Sequence, residues 1–267
     1  MRRYELTDEQ WARIEPLLPR QKPRTGRPNS DHRQIVNGII WVLKSGAPWR
    51  DLPERYGKVG TVSSRFYRWV ASGVWQRVLT ALQGEADDAG AVDWNRHMLD
   101  GSVVRAHQHA AGAKKDAASE AIGRSRGGVT TKIHVRVDGN GQPITFVLTP
   151  GETHESTQAQ VLLEQGSIRG RRRGRGRKRP RRLVADKAYG SRAFRRFLRR
   201  RGIRITLPRK SNERRRGSFD KTVYRERNQV ERFFNRLKQC RRIATRYEKR
   251  AVNYAAMITI AMILMWV

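Results

Sequence analysis

Apolar residues recur at helical spacing through the amino-terminal third of the chain. In LTDEQWARIEPLL, Thr7 precedes Gln10 by three residues, which is the pattern of a capping box at the start of a helix. The stretch SDHRQIVNGIIWVLKSG predicts a second, strongly apolar helix that is capped by Ser30 or Asp31 and stops at Gly46. Short helices joined by tight connections are therefore expected at this end of the chain.

The stretch TVSSRFYRWVASG predicts the last of these helices. At helical spacing its aromatic residues, such as Phe66 and Trp69, form one face, and Arg65 and Arg68 are expected to point outward. A basic helix that closes a set of short helices is typical of a helix-turn-helix unit, with residues 61–72 as the recognition helix. We therefore predict that Arg65 and Arg68 bind DNA. The alternative is an ordinary helical bundle whose arginines only contact water.

The pattern changes after about residue 85, where GEADDAGAVDWNRH is small, acidic and polar. Beyond it, HMLDGSVVRA, GVTTKIHVRVD and PITFVLT are three strand-like runs, which predict an antiparallel meander. The polar, glycine-containing segment 107–128 between the first two runs predicts a mobile loop. We therefore predict two domains: a small all-α helix-turn-helix domain over residues 1–85 and a second domain over 93–267.

The stretch RRLVADKAYGSRAFRRFLRRRGIRITLP predicts a strand, a turn, a helix over 191–201 and a second strand, which together form an α/β unit. Its first apolar run ends at Asp186, where a buried parallel strand would meet its loop. Just before it lies a basic insertion near residues 168–182. In GRRRGRGRKRPRR nine of thirteen residues are basic, which predicts either an unfolded, phosphate-seeking loop or a low-complexity insertion.

The composition favours a polyanionic partner. The 57 Lys and Arg residues against 24 Asp and Glu give the 267-residue chain a formal charge of +33. Basic residues that neutralise phosphates release condensed counterions, so nucleic acid is the leading candidate. The alternative for part of the arginine excess is compositional drift in a G+C-rich genome. Cys240 is the single cysteine, which excludes an internal disulfide and a multi-cysteine zinc site and is consistent with a reducing cytoplasm.

Both ends of the chain lack the features of membrane segments. The start, MRRYELTDEQ, has no apolar signal-peptide region. The closing YAAMITIAMILMWV is apolar but shorter than the roughly 20 residues that span a bilayer, so it predicts a buried helix. No membrane partner is expected.

A single carboxylate stands in the arginine-rich stretch YRERNQVERFFNRLK. On a helix, Tyr224, Arg227, Glu231 and Lys238 fall within about 40° of one line, apart from an apolar face that would pack on the sheet. Considered alone, Glu231 is explained by an intrahelical ion pair with Arg227. Two further aspartates change this interpretation, because Asp100 and Asp186 each follow an apolar, strand-like run.

Three carboxylates are enough to hold a pair of divalent cations. Hard oxygen ligands suit Mg²⁺, which keeps some of its water and binds phosphate oxygens directly. Two such ions about 3.5 to 4 Å apart activate an attacking oxygen and stabilise the leaving one. Asp100, Asp186 and Glu231 are therefore our candidates for the catalytic and metal-binding residues of phosphoryl transfer on a nucleic-acid backbone.

These residues carry a family resemblance. Tyr224, Arg227, Glu231 and Lys238 match the Y-(2)-R-(3)-E-(6)-K signature. The stretches LDGSVVRAH, GRSRGGVTTKIHV, TPGETHES and ADKAYGS occur in the expected order. The chain resembles bacterial insertion-sequence transposases of the DDE class, specifically the IS-five type within the IS-four superfamily, over nearly its whole length.

The resemblance implies a ribonuclease-H-like mixed-sheet catalytic domain with Asp100 on the first strand, Asp186 after the fourth and Glu231 on a later helix. It implies Mg²⁺, with Mn²⁺ as a substitute, and assigns Tyr224, Arg227 and Lys238 to the transposon-end DNA. It also implies binding to terminal inverted repeats, DNA cleavage, joining of the 3′ ends to target DNA, and a homodimer or higher multimer.

Several alternatives stay open at this point. A catalytically decayed transposase that acts as a repressor would bind the same DNA without cutting it. A structure-specific nuclease would cut without joining. Elsewhere, Lys132 and His134 alternate on one strand face, which predicts either a DNA contact or a strand face exposed to water.

Overall fold

The computed structural model describes residues 3–22, 29–110, 120–125, 127–170, 174–208 and 219–267. The helices in these residues are α1 (Asp8–Ile14), α2 (His32–Ser45), α3 (Val59–Ala71), α4 (Val74–Asp88), α5 (Ala159–Gln165), α6 (Arg192–Arg200), α7 (Lys221–Arg225), α8 (Asn228–Lys238), α9 (Arg241–Ala244) and α10 (Ala251–Trp266). The strands are β1 (Arg96–Ala106), β2 (Gly123–Ser125), β3 (Gly128–Asp138), β4 (Pro143–Pro150), β5 (Arg182–Val184), β6 (Arg204–Thr206) and β7 (Thr245–Arg246).

The strands form one mixed sheet whose principal order is β4-β3-β1-β5-β6. β1, β3 and β4 make the predicted antiparallel meander, and β5 and β6 run parallel to β1. Three antiparallel strands followed by two parallel ones, with helices between them, give the ribonuclease-H-like arrangement. The α/β fold predicted from the sequence is therefore confirmed. β2 and β7 extend the sheet beside β3 and β1.

The segment between β1 and β3 differs in part from the expected mobile loop. Residues 123–125 form β2 and pair with the start of β3, so for them the prediction of a loop is wrong. Backbone pairing with a neighbouring strand satisfies their polar groups, a feature that local composition does not reveal. Residues 111–119 and 126 of this segment lie outside the described residues.

The first two amino-terminal helices are capped as the sequence predicts, whereas α3 begins at Val59 instead of residue 61 and is not the last helix of the set, because α4 follows it. Thr7 accepts from the Gln10 backbone while the Gln10 side chain accepts from Thr7, so the capping box is present. Asp31 caps α2 by accepting from two backbone N–H groups. Gly46 ends α2 with φ of 74°, a left-handed conformation that favours glycine.

The apolar core is continuous between the amino-terminal helices and the sheet. α10 is buried along most of its length and packs closely against α4. As a result, Leu79 and Met262 belong to the same core cluster, although they come from the two predicted domains. The boundaries 1–85 and 93–267 stay a prediction. Among the described helices, none is long and apolar enough to cross a membrane.

One arginine of α3 is not where the sequence placed it. Arg65 is only 7% exposed and donates to Asn29 Oδ1 at 2.7 Å, and its other terminal nitrogen lies 2.9 Å from His32 Nε2. The prediction that Arg65 points outward is therefore wrong, because partners from the start of α2 satisfy its guanidinium inside the helical domain. Arg68, one turn further on, is exposed as predicted.

The described part of the basic insertion is folded rather than unfolded. Arg177 bridges to Ile168, and its guanidinium lies 4.7 Å from the ring centre of Trp94. The buried Arg136 of β3 donates to the Lys178 carbonyl at 2.6 Å. These contacts hold the segment against Trp94 and β3, so the segment is folded despite the repulsion between its like charges. Residues 171–173 lie outside the described residues.

Candidate active site

Two of the predicted carboxylates come from neighbouring parallel strands. β1 and β5 pair His97 with Leu183 and Met98 with Val184. Continued by two residues, this register places Asp100 level with Asp186. Neighbouring strands lie about 4.8 Å apart, so the two aspartates are brought together by the sheet itself.

The position of Asp186 follows from how β5 ends. The buried run Leu183, Val184 and Ala185 stops at Asp186, which caps the short 3₁₀ turn Lys187–Tyr189 by accepting from the Lys187 backbone N–H. The carboxylate is therefore held at the end of a buried strand, while its side chain stays partly accessible. In chain order β5 is the fifth strand and not the fourth, because the short β2 precedes it.

The third carboxylate lies on α8, which packs on β1 and β3. Val230, Phe233 and Leu237 are fully buried and form the apolar face that the sequence predicts. Glu231 lies away from that face, and its side chain is 51% exposed. Packing on the sheet thus fixes the helix and directs Glu231 toward the two aspartates.

The stretch that carries Glu231 is not one continuous helix. α7 ends at Arg225 and α8 begins at Asn228. Around the junction, the N–H groups of Glu226 and Arg227 donate to carbonyls three residues back, which is the tighter 3₁₀ pattern. The expectation that Tyr224 shares a helix with Glu231 is therefore wrong. At this junction Glu226 forms an ion pair with Arg96 of β1.

Arg227 links two of the three carboxylates. It donates to Asp100 Oδ2 at 3.1 Å and to Glu231 Oε1 at 2.5 Å. The ion pair with Glu231 was foreseen in the sequence, whereas the contact with Asp100 connects α8 to β1. Arg227 Nε is buried and has no hydrogen-bond partner within the described ranges.

Asp100 experiences the charges of the other site residues. Burial raises the pKa of Asp100 above its ordinary value, the Arg227 guanidinium and the Gly101 N–H lower it, and the charges of Glu231 and Asp186 raise it again. Like charges close together disfavour the ionised form of Asp100, and a nearby cation favours it. In this structure Arg227 supplies part of that compensation.

The donor set fits a hard divalent cation, although the carboxylates do not close around one point. Carboxylate oxygens are the ligands that Mg²⁺ and Mn²⁺ prefer. In the part of the chain that the structure describes, no three His, Cys, Asp or Glu side chains converge closely enough to hold a metal ion. Arg227 stands between Asp100 and Glu231, so both would have to release it to bind a metal together.

A fourth carboxylate lies beside Asp100, and the sequence did not assign it a role. Glu155 sits on the 3₁₀ turn Glu155–Thr157, which follows β4 and packs against the turn Lys187–Tyr189. A Cβ placed on Gly101 would lie 3.2 Å from Glu155 Oε1, so this carboxylate rests directly against the residue that follows Asp100. Burial raises the pKa of Glu155, as does the charge of Asp100, while Lys132 lowers it.

The strand face behind Glu155 is not a water-exposed one. Lys132 Nζ donates to the Thr153 carbonyl at 2.8 Å and lies 3.9 Å from Glu155 Oε1. His134 is fully buried, with Nε2 2.8 Å from Thr149 Oγ1. Both alternatives predicted for His134, a DNA contact and an exposed face, are therefore wrong, because the turn after β4 covers this face of β3.

Tyr189, on the turn Lys187–Tyr189, also lies beside these carboxylates. Its side chain is 0% exposed, and its hydroxyl has no hydrogen-bond partner among the residues described. Burial raises the pKa of Tyr189 far above its ordinary value, and the charges of Glu155, Asp100 and Asp186 raise it further. A buried hydroxyl without a partner is uncommon in proteins and calls for an explanation.

The remaining predicted DNA-binding residues, besides Arg65, are Tyr224, Lys238 and Arg68. Tyr224 is half-buried, and the charges of Arg227 and Asp186 influence its pKa, so it lies beside the carboxylates. Lys238 is exposed at the last position of α8, and Arg68 is exposed on α3. The sequence identified the three candidate carboxylates and Arg227, and it assigned no role to Glu155 and Tyr189, although both lie in stretches of the family resemblance, TPGETHES and ADKAYGS.

Two family models match the chain, one in its amino-terminal part and one in the rest. Residues 98–266 match the family described as "Transposase DDE domain", and residues 6–79 match one described as "Putative transposase of IS4/5 family". The chain is 41% identical over 110 residues to "Uncharacterized protein y4sN" of Sinorhizobium fredii, which covers 41% of this chain and 83% of that protein.

Two further similarities concern named transposases. The chain is 34% identical over 140 residues to a "Putative transposase for insertion sequence element IS6501" of Brucella ovis, covering 52% of this chain and 98% of that protein. Among solved structures, the piggyBac transposase synaptic complex with hairpin DNA aligns with a TM-score of 0.46 and 12% identity, covering 96% of this chain and 71% of that one.

Proposed function

Because the chain belongs to the DDE transposases of insertion sequences, we propose that it binds the terminal inverted repeats of its element, cleaves the DNA and joins the 3′ ends to target DNA. The observation that carries this proposal is the placement of Asp100 level with Asp186 on neighbouring strands, with Glu231 tied to Asp100 through Arg227. Three carboxylates from three separate elements of the fold thus lie near one another, although they do not close around one point in the part of the chain that the structure describes.

DDE transposases depend on a divalent metal, and we propose Mg²⁺ here, with Mn²⁺ as a substitute and two ions in all. Asp100, Asp186 and Glu231 would hold the metal, which supplies activation of the attacking oxygen and stabilisation of the leaving one. Arg227 donates to both Asp100 and Glu231 and so holds the two carboxylates relative to each other. Its planar, multiply donating guanidinium is also suited to bind a phosphate group.

The DNA is proposed to approach from the side of α8 and α3. Tyr224, Arg227 and Lys238 would contact the transposon end near the cleaved phosphate, and Arg68 would contact DNA from the helical domain. Support comes from the exposure of Arg68 and Lys238 and from the charge of +33. Arg65 is excluded from this group because Asn29 and His32 engage its side chain inside the domain. We also propose a homodimer or higher multimer, so that two ends are cut together.

A repressor without catalytic activity is the second candidate, and one observation favours it. Arg227 forms ion pairs with both Asp100 and Glu231, as it would if these carboxylates served only as ion-pair partners. In that case the carboxylates would stabilise the fold and the basic surface would bind DNA without cutting it.

Labelled DNA that carries the element's own terminal repeats separates these functions. The purified chain is incubated with it in Mg²⁺ or EDTA, and wild type is compared with Glu231→Gln. Glu164→Gln is the matched control, because Glu164 is a partly exposed carboxylate ion-paired to an arginine, Arg201, at 3.3 Å on a helix away from the cluster. Transposase activity predicts metal-dependent cleavage and joining by wild type and by Glu164→Gln only.

Other outcomes would decide against the proposal. Equal binding of the ends by wild type and Glu231→Gln, with cleavage by neither in any metal, would favour the repressor. Cleavage without joined products from a pre-cut end would favour a structure-specific nuclease.

A further inference from the structure

Glu155 and Tyr189 lie near the same cluster, on two turns that pack against each other. One turn follows β4 and carries Glu155, and the other follows Asp186 and carries Tyr189. The two residues are 34 positions apart in the chain, so their proximity is a product of the fold.

Gly101 of β1 leaves room for the Glu155 carboxylate. A side chain at position 101 would bring its Cβ to 3.2 or 3.3 Å from three atoms of Glu155, a tighter contact than is usual. Glycine therefore allows this carboxylate to lie directly on β1 next to Asp100. An ion pair with Lys132 alone explains little of this placement, since the two charged groups are 3.9 Å apart and Lys132 Nζ already donates to the Thr153 carbonyl at 2.8 Å.

The Tyr189 hydroxyl gives an independent indication of a ligand. It is fully buried and lacks a hydrogen-bond partner in the described residues, although Glu155, Asp100 and Asp186 all act on it electrostatically. Leaving a buried hydroxyl unpaired costs about 1 to 3 kcal/mol, so a phenylalanine would serve a purely structural role better.

We propose that Glu155 is a fourth acidic residue of the metal site and that Tyr189 positions it. Glu155 would accept hydrogen bonds from water molecules of a hydrated divalent cation held by Asp100 and Asp186. The Tyr189 hydroxyl would donate to the carboxylates once they have reoriented around the cation. Contact through water is favoured over direct ligation because Lys132 lies beside Glu155 and because Mg²⁺ keeps several of its waters in proteins. This inference rests on the proposed metal-dependent function.

The test uses Mn²⁺ alone, titrated into the full-length protein without DNA, with free Mn²⁺ read from its electron paramagnetic resonance signal. Outer residues that orient a metal site typically change affinity by about 10- to 100-fold. We expect Glu155→Gln to weaken Mn²⁺ binding by about tenfold or more and Glu155→Asp to recover part of it. Tyr189→Phe should weaken binding by a smaller factor. Glu152→Gln, a carboxylate of the same segment that lies against Gly123 instead, should bind as wild type does.

Thermal unfolding in EDTA separates positioning from a structural role. Tyr189→Phe removes a hydroxyl that has no hydrogen-bond partner among the described residues, so its melting temperature should equal or exceed that of wild type while its Mn²⁺ affinity falls. A lower melting temperature with unchanged Mn²⁺ affinity would overturn the proposal.

The failure of this inference is distinguishable from the failure of the proposed function. If wild type binds Mn²⁺ and cuts DNA, Asp186→Asn loses both, and Glu155→Gln and Tyr189→Phe match wild type, only the roles of Glu155 and Tyr189 are refuted. If wild type shows no saturable Mn²⁺ binding and no cleavage, the metal site and the inference built on it both fail.

Discussion

Arg227 Nη2 lies 3.1 Å from Asp100 Oδ2, although 127 positions separate the two residues in the chain. Arg227 is itself half-buried, and burial lowers its pKa, but the charges of Asp100 and Glu231 outweigh that effect and raise it. The guanidinium therefore stays charged and counteracts the repulsion between carboxylates. Burial, the largest effect on Asp100, raises its pKa, and the contact with Arg227 lowers it.

Replacing Arg227 by glutamine should shift the pH dependence of DNA cleavage. The positive charge of Arg227 lowers the pKa of Asp100, so its loss should raise that pKa. Asp100 must be ionised to hold a cation, and the acidic limb of the cleavage profile should therefore move to higher pH. Arg232→Gln, an exposed arginine on the same helix, is the control and should leave the limb in place. An unshifted limb in Arg227→Gln would contradict the assignment.

The two arginines of α3 should respond in opposite ways to replacement by methionine. Arg68→Met should keep its stability and weaken binding to terminal repeats, with the slope of log affinity against log salt reduced by about one. Arg65→Met should lower the unfolding free energy by about 1 to 3 kcal/mol, because Asn29 and His32 lose their partner. Urea unfolding and salt-dependent binding measure the two effects. Equal loss of DNA affinity in both variants at full stability would refute the distinction.

Arg136 is expected to be a major contributor to stability. It is 0% exposed and donates to His97 Nδ1 at 2.9 Å and to the carbonyls of Gly166 and Lys178 at 3.2 and 2.6 Å. These bonds tie the segment before β5 to β3. Arg136→Met would leave three buried acceptors unpaired at about 1 to 3 kcal/mol each, so a loss of at least about 3 kcal/mol is expected.

Urea unfolding of Arg136→Met tests this expectation. Arg199→Met provides the control, since it makes the same change of charge at an exposed position of α6 and should alter stability little. A similar unfolding midpoint in the two variants would show that the buried network around Arg136 is not needed.

His134 should make the protein less stable in mild acid. Burial and the charge of Lys132 lower the pKa of His134 to about 4. The unfolded chain therefore binds more protons between about pH 4 and pH 6.5, and stability is lost as the pH falls through this window. A shift from 6.5 to about 4 corresponds to roughly 3 kcal/mol.

Comparison with His134→Gln isolates this contribution. The difference in unfolding free energy between wild type and His134→Gln should shrink as the pH falls from 6.5 to 4. His97, whose pKa burial also lowers, acts in the same direction, whereas Asp138, whose pKa burial raises to about 6, acts in the opposite one. A difference that stays constant over this range would refute the role of His134.

The sequence by itself determined the elements of the fold and the three principal carboxylates. Strand alternation gave β1, β3 and β4 almost to the residue, and the capping box at Thr7 and the glycine stop at Gly46 gave the helix ends. Such signals are local: a cap lies within three residues of its partner, and alternation repeats every second residue. Asp100 and Asp186 could be selected in the same way, because each follows an apolar run.

Only the tertiary structure decided which charged groups are buried and what they contact. Arg65 shares its sequence pattern with Arg68, yet residues brought close by the start of α2 bury it. Glu155 and Tyr189 lie in stretches that carry the family resemblance, but nothing local shows that they approach Asp100, and they do so because their turns pack together. Burial and charge compensation depend on partners that are distant in sequence, and chain topology alone brings those partners together.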